Sequence, residues 1–217
     1  QYDVAIAGAG PAGSSLAIRL ANAGLSVLLV EQKAFPREKL CGEFISPECL
    51  DHFAELGVLS DISAAGGTSL KETVFFSQSG RGVAVESKWF GRPETLALGL
   101  SRAEMDGILL EHARSAGVDV RQETTVAGLL KGRNGGVSGV KLRGSGGSGT
   151  EAAARVTIDA TGRTRSLARR LDNGQTPRTA ATHVAFKTHL TGADLLPATC
   201  EIYVYRGGYG GCNLVQD

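Results

Sequence analysis

The sequence predicts an α/β chain, α+β overall, and three observations carry that reading. Two buried apolar strands flank a helix within residues 2 to 31. A buried strand returns at Arg155 to Asp159. Beyond about residue 172 the texture changes to short alternating stretches like those of an antiparallel sheet.

Taken in order, Tyr2 to Ala7 (YDVAIA) reads as a short buried strand and Gly8-Ala9-Gly10-Pro11-Ala12-Gly13 as a turn. In the following helix Ala12, Leu16, Ala17, Leu20 and Ala21 recur at helical spacing, Pro11 suits the first turn and Gly24 a C-terminal cap. Leu25 to Val30 is a second strand, ending at Glu31. Two apolar strands joined by a helix make a parallel, Rossmann-like βαβ unit. From Gln32 to Leu100 the alternation stops, as in a segment inserted between core strands. Ser46-Pro47 opens a helix to about Leu56, ended by Gly57; Leu70 to Ser77 and Gly82 to Glu86 resemble paired strands. Ser101-Arg102-Ala103-Glu104 fits a capping box for a helix to Ala116. Val118 to Val120 is a third strand, and Val126 to Leu130 with Val137 to Leu142 a hairpin. The run Gly144 to Gly149 reads as a surface loop or linker. After Arg155 to Asp159, a basic helix is expected near Thr164 to Leu171, then strands at His183 to His189, Glu201 to Arg206 and Cys212 to Val215. The expected division is residues 1-69 and 101-171 in one domain, with 70-100 and 172-217 forming part of a second that is cut at the C-terminus.

Composition narrows the function. The chain is 42% hydrophobic and 21% charged, and no apolar run reaches the roughly 18 residues of a membrane span. Without a basic-then-apolar leader, the expected location is cytoplasmic. A formal charge of +1 steers the chain toward neither nucleic acid nor an anionic membrane, leaving room only for peripheral membrane contact. Cys41, Cys49, Cys200 and Cys212 form no C-x-x-C pair and have no His at ligand spacing, so no metal is expected, and a reducing compartment suits them. No G-x-S-x-G accompanies His183 or His189, which read as structural. The basic run Arg163, Arg165, Arg169 and Arg170 reads as a solvated face, with binding of nucleic acid or of a nicotinamide donor's phosphates as the alternative.

The chemistry lies in the first turn. A pyrophosphate needs backbone amides, the positive end of a helix dipole, and a main chain that approaches closer than a Cβ permits. Gly8 supplies the tight turn, Gly10 the close approach and Gly13 the packing of helix on strand. Glu31 lies where a carboxylate accepts both hydroxyl protons of an adenosine ribose, and it disfavours a 2′-phosphate. Strand, turn, helix, strand and acid in register make this a dinucleotide site, for FAD or NAD.

Gly8 to Gly13, the helix opening Ser101-Arg102 with Asp106, and Ile158-Asp159-Ala160-Thr161-Gly162-Arg163 resemble, in that order, the FAD-dependent monooxygenase superfamily with its geranylgeranyl reductase and flavin-dependent halogenase branches. The resemblance implies a glutathione-reductase-type FAD-binding domain with part of an antiparallel substrate domain. It assigns to FAD the residues Gly8, Gly10, Pro11, Ala12, Gly13, Glu31, Gln32, Lys39, Gly42, Arg102, Val126, Asp159, Thr161 and Gly162. Thr161-Gly162 departs from the hydroxylase Asp-Gly form. Phe35 to Glu43 (FPREKLCGE) looks like the Pro-x-x-Lys-x-Cys-Gly-Gly segment of geranylgeranyl reductases, with Glu43 replacing a glycine, and Tyr205 to Gly210 resembles their substrate-domain hairpin. Cys41 and Glu43 are the catalytic candidates: Cys41 facing flavin or substrate or buried as a small hydrophobe, Glu43 as a general acid or as a carboxylate paired with Lys39 or Arg37. The halogenase Trp-x-Trp-x-x-Pro signature is absent, since Trp89 is the only tryptophan, and the later Gly-Asp motif is not found before Asp217. The expected function is FAD-dependent reduction of an apolar double bond, with a monooxygenase or halogenase, or a dinucleotide-binding fragment without activity, as alternatives. A small apolar or aromatic substrate is implied. Without a second G-x-G-x-x-G, electrons come from an external donor, NAD(P)H or a reductase.

Overall fold

In the computed structural model, which describes residues 1–91, 94–147, 149–171 and 183–215, the chain opens with β1 (Tyr2–Ala7), α1 (Pro11–Asn22) and β2 (Val27–Val30). Val4 to Ala7 and Val27 to Val30 are buried without alternation, as in strands covered on both faces. Then come β3 (Phe44–Ile45), α2 (Pro47–Glu55), α3 (Leu59–Ala64), β4 (Thr68–Leu70), β5 (Glu72–Phe76), β6 (Gly82–Glu86), β7 (Ala97–Gly99) and α4 (Arg102–Ser115). The chain continues through β8 (Asp119–Arg121), β9 (Thr124–Lys131), β10 (Val137–Gly144), β11 (Gly149–Asp159), α5 (Ala168–Leu171), β12 (Thr199–Tyr205) and β13 (Gly208–Cys212). Among the described residues no helix is long and apolar enough to cross a membrane.

The chain divides into two units, Gln1–Arg37 with Asp106–Thr182, and Glu38–Met105 with His183–Asp217. The first holds a six-stranded sheet in the order β8-β2-β1-β11-β10-β9, parallel from β8 to β11 and antiparallel from β11 to β9. Its core packs Leu28, Val30, Val140, Leu142 and Ala154, with Tyr2, Val126 and Leu129 against it. Register sets Ala7 beside both Val30 and Asp159. The glycine turn, Glu31 and the Asp159 strand end therefore share the carboxyl edge of the parallel strands, where doubly wound sheets hold ligands.

The second unit has a three-stranded sheet, β3-β7-β4, and a four-stranded sheet, β13-β12-β5-β6. Leu70, Ala97 and Cys200 form one buried cluster in it, with Phe44 and Ile202 packed against it. Because β3 and β4 both pair with β7, this unit begins at Glu38 and runs to Met105, not from 70 to 100 as the sequence suggested. The expected antiparallel sheet is mixed, since β12 lies parallel to β5.

Other elements differ too. Leu70 to Ser77 is interrupted at Lys71, whose N–H turns to the Ala198 carbonyl, so two strands replace one. Of the two readings of Gly144 to Gly149, a loop fits better than a linker, because Arg143 and Gly149 on either side of it are paired. The basic helix shrinks to α5, because Arg165 takes a left-handed conformation at φ 46°. His183 to His189 forms no strand, and the last strand is glycine-rich β13 rather than Cys212 to Val215.

Candidate cofactor site

In the first unit, the turn after β1 is fixed by backbone contact. Gly8 has φ +100°, and its N–H donates to the Val30 carbonyl at 2.7 Å. A Cβ on Gly8 would stand 2.5 Å from the Ala160 carbonyl oxygen, and one on Gly13 would stand 1.9 Å from the Gly8 carbonyl oxygen. Both sites thus exclude any side chain. Gly10 is different: a Cβ there would find only Arg37 Nη2, at 3.8 Å, so the space over it is open. Gly10 caps α1 without a side-chain hydrogen bond, Pro11 occupies the first turn and no acidic residue follows there. Ala12 is exposed. A first turn without a side-chain cap among the described residues, a bare glycine and a positive dipole end are what a pyrophosphate requires, so these residues fit a dinucleotide.

Glu31, at the end of β2, is 5% exposed. Its carboxylate accepts the Ala9 N–H at 3.1 Å and the Lys33 N–H at 3.1 Å, and it lies 3.4 Å from Arg37 Nη2. Arg37 Nη1 donates to fully buried Asp106 at 3.0 Å, and the guanidinium lies over the Phe35 ring. Arg37 is therefore a buried bridge between two carboxylates. Gln32 lines an adjacent cleft of about 350 Å³ with Lys33, Ala34, Glu123, Thr125 and Arg143. Val126 sits one residue beyond that lining, on β9 opposite Leu142, with its side chain against the core.

Asp159 turns inward on its own loop. One oxygen accepts Thr161 N–H at 3.0 Å and Thr161 Oγ at 2.5 Å; the other accepts the N–H groups of Leu167 and Ala168, each at 2.9 Å. Burial pushes this carboxyl up, but those donors outweigh it and hold it below its ordinary value. Gly162 is exposed at φ +71°. In Asp159→Asn an amide NH₂ faces one of these donor pairs, and a loss of about 2–3 kcal/mol at neutral pH is expected by urea unfolding. Because the folded carboxyl is depressed, its contribution exists above the unfolded-state value and disappears as pH falls through the folded one. The two proteins' stabilities should accordingly converge in acid; a difference unchanged with pH would exclude the ionised carboxylate as the cause.

In the second unit, Lys39 and Gly42 are exposed and Cys41 is half-buried, its Sγ 3.4 Å from the Glu43 N–H. Glu43 is 3% exposed and sits at φ 55°, a left-handed conformation costing a non-glycine residue about 1–2 kcal/mol. Its carboxylate accepts the Arg102 N–H at 2.7 Å, Lys187 Nζ at 2.5 Å and contacts His189 Nε2 at 2.6 Å. The expected pairing with Lys39 or Arg37 is thus corrected: Arg37 is committed to Glu31 and Asp106, and the partners come from residues 187 and 189. Burial pushes the Glu43 carboxyl up, but His189, Lys187 and Arg102 outweigh it and hold it below the ordinary carboxylate range. At neutral pH Glu43 is an anion, which speaks against a general acid. Ser101 Oγ accepts the Glu104 N–H at 3.2 Å, as a cap should, and Glu43 supplies negative charge at the start of α4 beside half-buried Arg102.

Glu38, Glu43 and His189 are close enough to share a metal ion. Lys187 Nζ, however, lies 2.7 Å from Glu38 and 2.5 Å from Glu43, so an ammonium already stands between the two carboxylates. Lys187 escaped the sequence reading, and His189 was read there as structural. Their signal was K-x-H, two residues apart, which places both side chains on one side of an extended segment.

The turn, open helix end and strand-end carboxylate are those of a dinucleotide-binding α/β domain. Residues 1–197 match the model of the FAD binding domain family, and the chain belongs to that family; its cofactor is FAD. It is 31% identical over 219 residues to a digeranylgeranylglycerophospholipid reductase of Methanosarcina mazei, covering 96% of this chain and 50% of the relative. It is 32% identical over 190 residues to a 1H-pyrrole-2-carbonyl-[peptidyl-carrier protein] chlorinase of Pseudomonas fluorescens, covering 79% and 41%. The myxobacterial chondrochloren halogenase shares the fold with a TM-score of 0.79 at 24% identity, over 99% of this chain and 51% of that one. The chain spans half or less of the length of these curated relatives.

Proposed function

We propose that this chain is the FAD-binding portion of an oxidoreductase that saturates an apolar, isoprenoid-type double bond. The carrying observation is the Pro36 to Glu43 segment, whose Lys39-Leu40-Cys41-Gly42 order resembles that of geranylgeranyl reductases. The similarity to the archaeal reductase along nearly the whole chain supports it. Bound and reduced, FAD would supply the hydride. Gly8, Gly10, Pro11, Ala12 and Gly13 would hold the pyrophosphate, Glu31 the ribose hydroxyls, and the Gln32 cleft and Val126 backbone the adenine side. Thr161 and Gly162 would present the loop that Asp159 holds in shape. Lys39, Gly42 and Arg102 enter through the resemblance, and Cys41 would face the apolar substrate. A halogenase or monooxygenase is the second reading, favoured by the similarity to the chlorinase.

The intact protein, reduced by dithionite without oxygen and given a geranylgeranyl lipid, should lose substrate double bonds. Turnover that appears only with oxygen and halide would replace this reading by the second. Glu31→Ala should weaken FAD binding by about 1–3 kcal/mol, the scale of hydrogen bonds to a charged acceptor. Titration followed in the flavin absorbance bands measures this, and an unchanged affinity would remove Glu31 from the site.

A further inference from the structure

We propose that Arg37 is a ligand of the FAD pyrophosphate, donating from its Nη2 and Nε edge across the open face of Gly10; the inference rests on the reading of Gly8 to Gly13 as the pyrophosphate turn. Every residue involved lies in the first unit. The turn itself has spent part of its donor capacity. The Gly8 N–H goes to the Val30 carbonyl, the Ala9 N–H goes to Glu31, and Pro11 has none to give. Helix α1 adds no cation near the turn, because its basic residue, Arg19, lies in the last turn. A diphosphate at Gly10 therefore draws its positive charge from elsewhere in the fold.

Arg37 stands where that charge is needed. The point that a Gly10 Cβ would occupy, which is where a bare glycine lets a phosphate approach, lies 3.8 Å from Arg37 Nη2. The guanidinium is held in place. Asp106 accepts Nη1 at 3.0 Å, and the Phe35 ring centroid lies 4.5 Å from the guanidinium carbon. Glu31 and Asp106 would both repel a diphosphate, and Arg37 is the cation they share.

The donors of Arg37 are not exhausted. Of the five N–H groups of a guanidinium, one goes to Asp106 and one to Glu31, the second at 3.4 Å, long for a charged pair. Nε is buried and has no partner among the described residues. In any arginine Nε–H and one N–H of Nη2 lie side by side, a fork that matches two oxygens of one phosphate. A buried donor without an acceptor is costly, and a phosphate oxygen supplies the acceptor.

ADP and adenosine separate contacts to phosphate from contacts to ribose and base. In calorimetric titrations of the intact protein freed of FAD, Arg37→Lys should weaken ADP about tenfold or more and adenosine less than about threefold, since an ammonium keeps the charge but loses the fork. Equal losses for the two ligands would mean that Arg37 only steadies Glu31, and would overturn the proposal. Gly10→Ala is the control for the turn. It should weaken ADP and spare adenosine; if it weakens neither, or both alike, the reading of the turn fails and the proposal with it. The wild-type protein gives a second measurement that no misfolded variant can obscure. The NMR signal of the Arg37 Nε–H should move downfield with ADP and hold its place with adenosine. A signal unmoved by ADP, or moved equally by both, would overturn the assignment of the fork.

Discussion

Gly13→Ala is expected to remove FAD from the protein and to destabilise the first unit by about 3 kcal/mol, the upper end of what overpacking costs. The added Cβ would stand 1.9 Å from the Gly8 carbonyl oxygen, 3.1 Å from its carbon and 3.3 Å from Ala160 Cβ. The nearest two of those atoms are main chain, so no rotamer change relieves the contact. Helix α1 must move off β1, and Ser14, which holds the turn through Oγ to the Ala9 carbonyl, Ala17 and Ile18 are all buried on α1 and move with it. Gly10→Ala separates the two consequences. Its Cβ meets nothing closer than 3.8 Å, and Gly10 already has extended backbone (φ −75°, ψ −177°), so urea unfolding of the apoprotein should change by about 1 kcal/mol or less. Its flavin absorbance after purification should nonetheless fall, because the methyl occupies the phosphate's approach. Unchanged flavin content in Gly10→Ala would show that the open face of the turn is not the cradle. A Gly13→Ala protein as stable as the wild type would show that α1 and β1 are not in close contact.

What the sequence disclosed follows physical range. The first βαβ unit was legible because each part is specified locally: an unbroken apolar run for a strand buried on both faces, a helical period, Pro11 at its entry and an acid at the strand end. The second unit was legible only in part: α2, β6 and β12 lie close to where they were expected. β3, β4 and β7 have two or three residues each, too few for any period, and they exist through pairing with one another. The parallel pairing of β5 with β12 joins Glu72 to Thr199 across the chain and leaves no local trace. At residues 183 to 189 alternation misled, because Lys187 and His189 face one way to hold Glu43, with no neighbouring strand. At the Tyr205 to Gly210 hairpin the second strand is glycine-rich β13, whose Gly208, Gly210 and Gly211 pair with Tyr205, Tyr203 and Ile202, and not the alternating Cys212 to Val215. The candidate residues divide likewise. Gly8, Gly10, Gly13 and Glu31 follow from spacing, whereas the roles of Arg37, Asp106, Lys187 and His189 depend on partners 6 to 146 residues distant.

Arg37→Met should cost about 3–5 kcal/mol in urea unfolding, the usual loss when one member of a buried ion network is removed. Arg37 is 6% exposed, Glu31 5% and Asp106 0%, so two carboxylates would be left in the interior without the cation that serves both. Screening by solvent, which makes exposed ion pairs nearly neutral, does not operate here. Arg37→Lys should recover little. A single ammonium cannot place separate N–H groups on Asp106 and Glu31, nor lie flat over the Phe35 ring as the guanidinium does. Adding Asp106→Asn to Arg37→Met should recover part of the loss, because it removes one of the two charges that Arg37 serves. The combined loss should then be well below the sum of the single losses. Equal and additive losses would mean that Arg37 acts through packing on Phe35 instead. The same variants bear on the cofactor: the Arg37 guanidinium steadies Glu31 and bounds the open space over Gly10. Flavin affinity should therefore fall in Arg37→Met even where the protein remains folded, and it should recover less than stability does when Asp106 is also changed, because Asp106→Asn restores charge balance but not the donor to Glu31.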